Sequence, residues 1–353
     1  MNLFESKAPV VGLLAAAAVV AGLYFGSHGL RHFDPAVAGY ALGAVLAALA
    51  VGYRFTVWAQ RPPSRMYFTR GLQLLLRRNS KLQISHFKPP APTVELSRSL
   101  VVNFAAQRFI QRRSVYRWIM HLCLSGGCTL AFAITFPLVF GWVHFETLPD
   151  NAEMYRAVVF GFAVDQFSVH SAKATVIFNL LNGAAVIVLV GLVMAAVRRA
   201  TDAGERATQN FSEDILPLVL IFAVTATGLM LTVSYKFLAG RGYSLIAAVH
   251  MVSVIALLFY IPFGKLFHMF QRACSLCVSL YKKAGETGER AHCSRCGVDS
   301  GSQMQINDLK IVLDQLGFNY RFATPHGEVH YQDICPACRR KLLALNQGKI
   351  LGR

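Results

Sequence analysis

The sequence predicts an all-α polytopic membrane protein with a small cytoplasmic α+β metal domain at its C-terminal end. The 353-residue chain is 54% hydrophobic and only 15% charged, and its apolar residues form long runs that ordinary soluble proteins lack. Its formal net charge is +17. In a membrane protein such an excess usually marks cytoplasmic loops and not a nucleic-acid-binding surface. Six of its eight cysteines form three C-x-x-C pairs near the C-terminus, a pattern that favours metal binding over disulfides in a cytoplasmic segment.

Six apolar runs are each long enough to cross a bilayer. They cover residues 9–26, 36–57, 115–142, 173–197, 214–238 and 243–270. No small-residue cleavage site follows the first run, so we interpret it as an anchor and not as a signal peptide. Strict alternation of the six spans, together with the basic loops, places both termini in the cytoplasm of a multi-pass prokaryotic inner-membrane protein.

The chain divides into four predicted parts. Two transmembrane helices occupy residues 1–57, a basic cytoplasmic loop occupies 58–114, a four-helix membrane domain occupies 115–270, and a Cys-rich cytoplasmic domain occupies 271–353. In the basic loop, one acid, Glu95, stands against eleven bases: Arg61, Arg65, Arg70, Arg77, Arg78, Lys81, Lys88, Arg98, Arg108, Arg112 and Arg113. This loop is either a topology signal alone or a docking surface for an acidic soluble partner or anionic lipid headgroups.

The sixth span has a histidine at each end, His250 and His268. Eighteen helical steps would set both imidazoles on one helix face, roughly 27 Å apart along the axis. A histidine inside a membrane is costly unless it is paired, liganded or faces a cavity. The two side chains therefore either ligate haems at opposite depths or anchor the helix ends at the membrane interfaces.

His121 lies near the cytoplasmic end of the third span, at the depth expected for His268. The two histidines could therefore provide the axial ligands of one b-type haem. A second haem, with His250 as one ligand, is less well defined, because the third span has no histidine opposite His250. The aligned depth there is Leu130-Ala131-Phe132-Ala133. The other ligand of that haem would have to come from the outer segments, which contain His28, His32, His144 and His170.

Three stretches carry a family resemblance. They are Ser114-Val-Tyr-Arg-Trp-Ile-Met-His121, the pair Arg198-Arg199 followed by Asp214-Ile-Leu-Pro, and above all His250 with Pro262-Phe-Gly-Lys-Leu-Phe-His268. From about residue 53 to 270 the chain resembles the gamma subunit of respiratory nitrate reductase, a haem-binding membrane cytochrome b that oxidises quinol. That family has two haem histidines at this separation on its last helix. It also has a second histidine on the third span, where this chain has Ala131.

The resemblance implies a quinol site at the outer face, with Lys173 as the matching lysine and His170 beside it. Quinol would lose two electrons and two protons there, and the electrons would cross through haem to cytoplasmic iron–sulfur and catalytic subunits. The chain would then be the electron-transfer subunit of an oxidoreductase complex and not its terminal catalyst. The first two spans are arranged differently from that family, and the C-terminal domain is foreign to it.

The C-terminal domain contains two C-x-x-C knuckles, formed by Cys293 with Cys296 and by Cys335 with Cys338. Between them the pattern predicts an amphipathic helix over 305–316 and a hairpin over 318–332. So small a domain needs a cross-link to be stable. Four thiolates on one tetrahedral zinc or iron ion would supply it. Free thiols are the alternative. Cys274 and Cys277 follow the last span directly, and we do not expect them to complete this site.

Two other functions fit the same general features. One is a transporter or sensor with a regulatory zinc domain, but the sequence shows no charged pair at mid-membrane and no inverted repeat of helices. The other is a haem-free anchor for a soluble oxidoreductase. A visible absorption spectrum separates the cytochrome b-type subunit from both alternatives, because only that function requires haem. The sequence specifies neither the partner enzyme nor its substrate.

Overall fold

A computed structural model describes residues 7–75, 97, 100–324, 327–350 and 352 of the chain. Contacts divide the chain into two compact units. The membrane unit comprises residues 1–56 and 101–269, and the cysteine unit comprises residues 57–100 and 270–353. Part of the predicted basic loop, with Arg77, Arg78, Lys81, Lys88, Glu95 and Arg98, lies outside the described residues. The docking-surface hypothesis for that part stays a prediction.

The helices are α1 (Ala8–Gly26), α2 (Ala38–Gln60), α3 (Ser64–Leu75), α4 (Arg108–Gln111), α5 (Val115–Val139), α6 (Ala172–Thr201), α7 (Ala203–Thr208), α8 (Leu216–Phe237), α9 (Tyr243–Phe263), α10 (His268–Ala273), α11 (Ser275–Thr287), α12 (Gln303–Gln315) and α13 (Pro336–Ile350). Among the described residues, six helices are long and apolar enough to cross a membrane, namely α1, α2, α5, α6, α8 and α9. They correspond to the six predicted spans and indicate a multi-pass membrane protein.

Small residues line the helix contacts of the membrane unit. Close packing joins α5 to α6, α6 to α8, and α8 to α9. A side chain at Gly127 on α5 would meet Val188 Cγ2 of α6 at 2.6 Å, and one at Gly12 on α1 would meet the Leu49 carbonyl of α2 at 2.8 Å. Many large apolar side chains point outward, as Val193 does with 62% of its surface exposed, while Val188, Leu192 and Ile221 form a buried cluster between the helices. This arrangement is typical of helices that face lipid.

The sequence predicts a polar outer loop over residues 143–172, because four acids lie there. The structure instead has a three-stranded antiparallel sheet between α5 and α6, so the loop prediction is wrong. The strands are β1 (Val143–Leu148), β2 (Asn151–Val159) and β3 (Phe162–Ser168), in the order β1-β2-β3. Phe145, Tyr155 and Phe167 pack with Phe178 of α6, with ring centroids 5.1–6.4 Å apart. Alternation of inward aromatic and outward polar residues is the strand signal, which the several acids of this segment obscured.

The sixth span is interrupted before it reaches His268. Helix α9 ends at Phe263, Gly264 is extended at φ −101° and ψ −168°, and a 3₁₀ turn over Lys265–Phe267 leads into α10. The prediction that an unbroken helix sets His250 and His268 on one face is therefore wrong. The two histidines belong to different helices.

A contact from α2 stabilises this interruption. Pro262 lacks an N–H and disfavours a continuous helix. Arg54 of α2 donates to the Pro262 carbonyl, and its guanidinium lies 4.5 Å from the centroid of the Phe267 ring. The basic side chain thus satisfies a carbonyl at the helix end, where intrahelical partners run out.

The described part of the cysteine unit contains four short strands, β4 (Arg290–His292), β5 (Asp299–Ser302), β6 (Arg321–Thr324) and β7 (Gly327–His330). They form two antiparallel hairpins, β4–β5 and β6–β7. The predicted helix over 305–316 is confirmed as α12, and the predicted hairpin over 318–332 is confirmed as β6–β7. Helix α3, which belongs to the predicted basic loop, packs against α11 in this unit.

A buried ion pair joins α3 to α12. Asp308 is 2% exposed. It accepts hydrogen bonds from Nε and Nη2 of Arg70 at 3.1 and 2.6 Å and from the Tyr281 hydroxyl at 3.1 Å. Burial, and then the nearby Asp308 carboxylate, raise the pKa of Tyr281. One of the eleven bases of the predicted basic loop therefore serves internal packing.

Candidate metal centre and histidine sites

Four cysteines of the cysteine unit come together. The sulfur atoms of Cys293, Cys296, Cys335 and Cys338 all lie within 4.8 Å of one another, and three of the four residues are buried. Cys296 and Cys335 have their sulfur atoms 3.7 Å apart. Zinc–sulfur bonds of about 2.3 Å in a tetrahedron separate the sulfurs by about 3.8 Å. The four thiols could therefore bind one metal ion.

Each hairpin places one pair of these cysteines. The first knuckle lies between β4 and β5, where the Cys293 N–H donates to Val298 O at 2.9 Å and Gly297 adopts φ +71° to complete the turn. The second knuckle follows β7, and Cys338 belongs to α13. Ile334 and partly buried Phe322, Val329 and Leu342 pack around the cysteines. The hydrophobic core around the cysteines is small, as expected for a domain that a bound metal cross-links.

The backbone around the cluster favours a thiolate at Cys293. Burial opposes its ionisation, but N–H groups of Cys335, Arg295 and Cys296 donate to its sulfur and lower its pKa to about 6. Burial and the neighbouring sulfurs raise the pKa of Cys338 to about 12. Four thiolates so close together repel one another, and a cation would remove this repulsion.

Cys274 and Cys277 lie outside this group of four sulfurs in the described part of the chain. Cys277 is buried, and a side chain at Gly71 of α3 would overlap it. Burial raises the pKa of both thiols. These surroundings favour a packing role for Cys274 and Cys277. This agrees with the prediction that the two cysteines do not complete the metal site.

The structure fixes the orientation of the predicted haem ligand His121. Its Nδ1 lies 2.6 Å from Oε1 of Gln107, which precedes α4. Gln107 is 8% exposed and donates from Nε2 to Ser125 Oγ at 2.9 Å, and Ser125 donates to the His121 carbonyl at 2.7 Å. Because the Gln107 oxygen can only accept, Nδ1 of His121 carries the proton.

His250 on α9 faces α8. Its Nδ1 lies 2.9 Å from Thr227 Oγ1, and the Thr227 hydroxyl donates to Ala223 O at 2.6 Å. The hydroxyl has one proton, so Nδ1 of His250 is the donor to Thr227. Gly228 provides the space for the imidazole, since a side chain there would lie 3.3 Å from His250 Cε1.

His268 opens α10 and uses the same ring nitrogen. Its Nδ1 lies 2.7 Å from the Lys265 carbonyl oxygen, which can only accept. All three predicted haem ligands therefore carry a proton on Nδ1, and in the neutral ring the lone pair is on Nε2. Their hydrogen-bond partners come from different elements, and these bonds do not pair one histidine with another.

The predicted quinol residues lie at the junction of β3 and α6. Lys173, in the first turn of α6, forms an ion pair with Asp165 of β3, and its Nζ lies 5.4 Å from the centroid of the Phe167 ring. The hydrogen bond from Lys173 lowers the pKa of Asp165, and burial raises it. The net shift of the Asp165 pKa is downward. His170 is exposed, and its backbone N–H donates to Ser168 Oγ at 3.3 Å.

Sequence reasoning missed a second cluster of metal-binding side chains. His32, between α1 and α2, stacks on His144 of β1 with ring centroids 4.3 Å apart, and His144 Nε2 lies 3.1 Å from Glu146 Oε1. Burial, then the neighbouring His144, lower the pKa of His32. The H-x-E spacing was a usable signal, because residues i and i+2 of a strand point to one face. Reading this segment as a loop hid that signal.

No family model matches the chain, and neither a curated protein nor a solved structure matches it. The likeness to the nitrate reductase gamma subunit therefore stays a hypothesis, together with the roles that it implies.

Proposed function

We propose that this chain is the cytochrome b-type membrane subunit of a respiratory oxidoreductase complex. It exchanges electrons between the quinone pool and cytoplasmic iron–sulfur and catalytic subunits. The observation that carries the proposal is the shared hydrogen bonding of His121, His250 and His268, whose Nδ1 atoms lie 2.6, 2.9 and 2.7 Å from oxygen atoms of the chain.

This hydrogen bonding suits axial ligation of haem. Histidine ligands of metals usually donate from the second ring nitrogen to a protein acceptor, which fixes the ring and makes the ligating nitrogen more basic. The Gln107 side-chain oxygen and the Lys265 carbonyl are such acceptors for His121 and His268. Two neutral imidazoles of this kind are the donor set of a b-type haem, which would supply one-electron transfer when bound.

Glycines near the histidines support the same proposal. Gly126 of α5 meets nothing within 4 Å among the described residues, whereas the adjacent Gly127 packs tightly against α6. One of the two small residues therefore serves ordinary helix packing, and the other leaves space beside the helix that carries His121. A flat macrocycle needs such space to approach a backbone closely.

We propose His121 and His268 as the ligands of one haem, with His250 as a ligand of a second if the chain binds two. Lys173 and His170 form part of the quinol site. Lys173 is held at the start of α6 by Asp165 and Phe167, which positions a cation and a hydrogen-bond donor for a quinone oxygen. His170 offers an exposed imidazole as proton acceptor.

The test is the visible spectrum of the purified full-length protein before and after addition of a quinol. We expect b-type absorption that quinol reduces. His121→Ala and His268→Ala should remove the same haem, while His292→Ala, on the exposed edge of the cysteine unit, should keep it. Lys173→Ala should slow haem reduction at least 10-fold with haem content unchanged, and Asp165→Asn should slow it less, because the lysine stays.

A colourless protein would overturn the proposal and favour a haem-free anchor or a transporter or sensor. Unchanged haem content in both His121→Ala and His268→Ala would remove the ligand assignment. Equal loss of haem and of quinol-dependent reduction in Lys173→Ala would show that the lysine acts on folding and not on quinol.

A further inference from the structure

The cluster of His32, His144 and Glu146 lies apart from the histidines assigned to haem. Each residue presents one ligand atom, and the three atoms lie within 4.8 Å of one another. Two imidazoles and one carboxylate form the ligand set of many zinc and iron(II) sites. The distance of 3.1 Å between His144 Nε2 and Glu146 Oε1 is close to the spacing of about 3.3 Å between two ligands on one tetrahedral zinc ion.

The ring geometry favours a small cation over haem. The imidazoles of His32 and His144 stack at 4.3 Å with only 18° between their planes. Axial ligands of haem lie on opposite sides of the macrocycle, so two rings in face-to-face contact cannot sandwich it. One nitrogen of each ring lies within 4.8 Å of the other and of the Glu146 carboxylate, so a small cation and not a macrocycle is the group that this cluster could hold.

A polar atom of this cluster has no partner. Nδ1 of His144 is buried and makes no hydrogen bond among the described residues. An unpaired buried nitrogen costs free energy and calls for a water, while Nε2, the other ring nitrogen, lies next to Glu146 and is the nitrogen available to an ion. The side chain of His144 is 20% exposed and that of Glu146 is 44% exposed, so an ion has a path to the cluster.

Independent contacts hold the loop that carries His32. His28 Nε2 lies 2.7 Å from the Phe160 carbonyl, at the turn between β2 and β3. Gly141 adopts φ +68°, and a side chain there would meet the His32 carbonyl at 2.5 Å. The loop between α1 and α2 is therefore fixed against the end of α5 and the sheet without the cluster itself, which preorganises the ligands.

We propose that His32, His144 and Glu146 bind a divalent transition-metal cation, with zinc as the best fit. The ion ties the α1–α2 loop to β1. Three protein ligands leave a fourth tetrahedral position for water, so the site can also accept a ligand from outside. This inference does not depend on the proposed haem or quinol chemistry.

Zinc content and zinc X-ray absorption of the full-length protein test the proposal, because haem does not interfere with either measurement. The protein is stripped with a chelator, loaded with Zn²⁺ and desalted. The four-cysteine cluster provides an internal reference, since its shell is sulfur only. We expect the wild type to bind one more zinc ion than the four-cysteine cluster accounts for. The X-ray absorption, averaged over all bound zinc, should then show nitrogen and oxygen ligands as well as sulfur.

His144→Gln and Glu146→Gln should each lose one zinc per chain and keep the sulfur shell. The matched control for Glu146→Gln is Glu153→Gln on the neighbouring strand β2, whose residue is exposed and lies outside the cluster; it should keep the zinc. His32→Gln is a second route, should either strand variant fail to fold. A wild-type shell of sulfur alone, or equal zinc loss in Glu153→Gln and Glu146→Gln, would overturn the proposal.

Discussion

The membrane unit and the cysteine unit bury opposite kinds of side chain. In the membrane unit many buried positions are small, such as Ala184 and Gly191 of α6, while many valines and leucines are exposed. In the cysteine unit the buried positions include four cysteines, Asp308 and Leu280. Lipid tails are as apolar as leucine, so helices in a membrane gain more from close backbone packing than from burying large side chains. A small domain in water has few apolar residues and needs stronger local interactions.

This difference predicts where each unit is most sensitive. The cysteine unit should depend on a few concentrated interactions, the metal centre and the Arg70–Asp308 pair. The membrane unit should depend on close packing at many small residues, each with a modest effect.

The largest effect is expected for Cys293→Ser. Metal binding contributes on the order of 10 kcal/mol to the folding of small zinc domains, and Cys293 is 3% exposed at the centre of the cluster. We expect loss of the metal and rapid proteolysis of residues 290–350, with the membrane unit unchanged. Elemental analysis with absorption then separates colourless zinc from coloured iron.

Cys274→Ser is the control for this variant. It should keep the metal and the protease resistance, because Cys274 lies outside the group of four sulfurs. Loss of metal in Cys274→Ser alone would mean that the ligand set is wrong.

A smaller effect is expected for Asp308→Ala. The substitution leaves Arg70 and the Tyr281 hydroxyl without their partner, and removing one member of a buried ion pair costs about 3 kcal/mol. Chemical denaturation, followed by protease protection of the cysteine unit, measures the change in the free energy of unfolding.

Asp314→Ala gives the comparison within the same helix. Asp314 pairs with Arg321 at 3.6 Å, and both side chains are about half exposed, so we expect a loss below about 0.5 kcal/mol. Equal effects of the two substitutions would show that burial of Asp308 does not matter.

A smaller effect than that of Asp308→Ala is expected in the membrane unit, for Gly127→Ala. The new methyl group would lie 2.6 Å from Val188 Cγ2 and 3.1 Å from Ala184 O, and overpacking of this kind costs about 1–2 kcal/mol. Gly126→Ala meets nothing within 4 Å in the described structure and should be neutral or slightly stabilising. Thermal midpoints in detergent distinguish the two, and identical midpoints would contradict the assigned α5–α6 contact.

Sequence patterns determined the features that depend on neighbours along the chain. The six spans follow from apolar length, because a backbone in lipid must satisfy its hydrogen bonds within the segment. The cysteine knuckles, helix α12 and the β6–β7 hairpin follow from spacing and periodicity. The β1–β3 sheet was within reach of the same reasoning, but its acids were interpreted only as a sign of an outer loop.

Tertiary structure decided the features that depend on distant residues. Arg54 reaches Pro262 across 208 positions, and Arg70 reaches Asp308 across 238. The first contact accompanies the helix break between His250 and His268, and the second converts a base of the predicted basic loop into a buried ion-pair partner. The stacking of His32 on His144 is of the same kind. A local pattern records which side chains are present, but side chains far apart in sequence meet only after the helices and strands have packed.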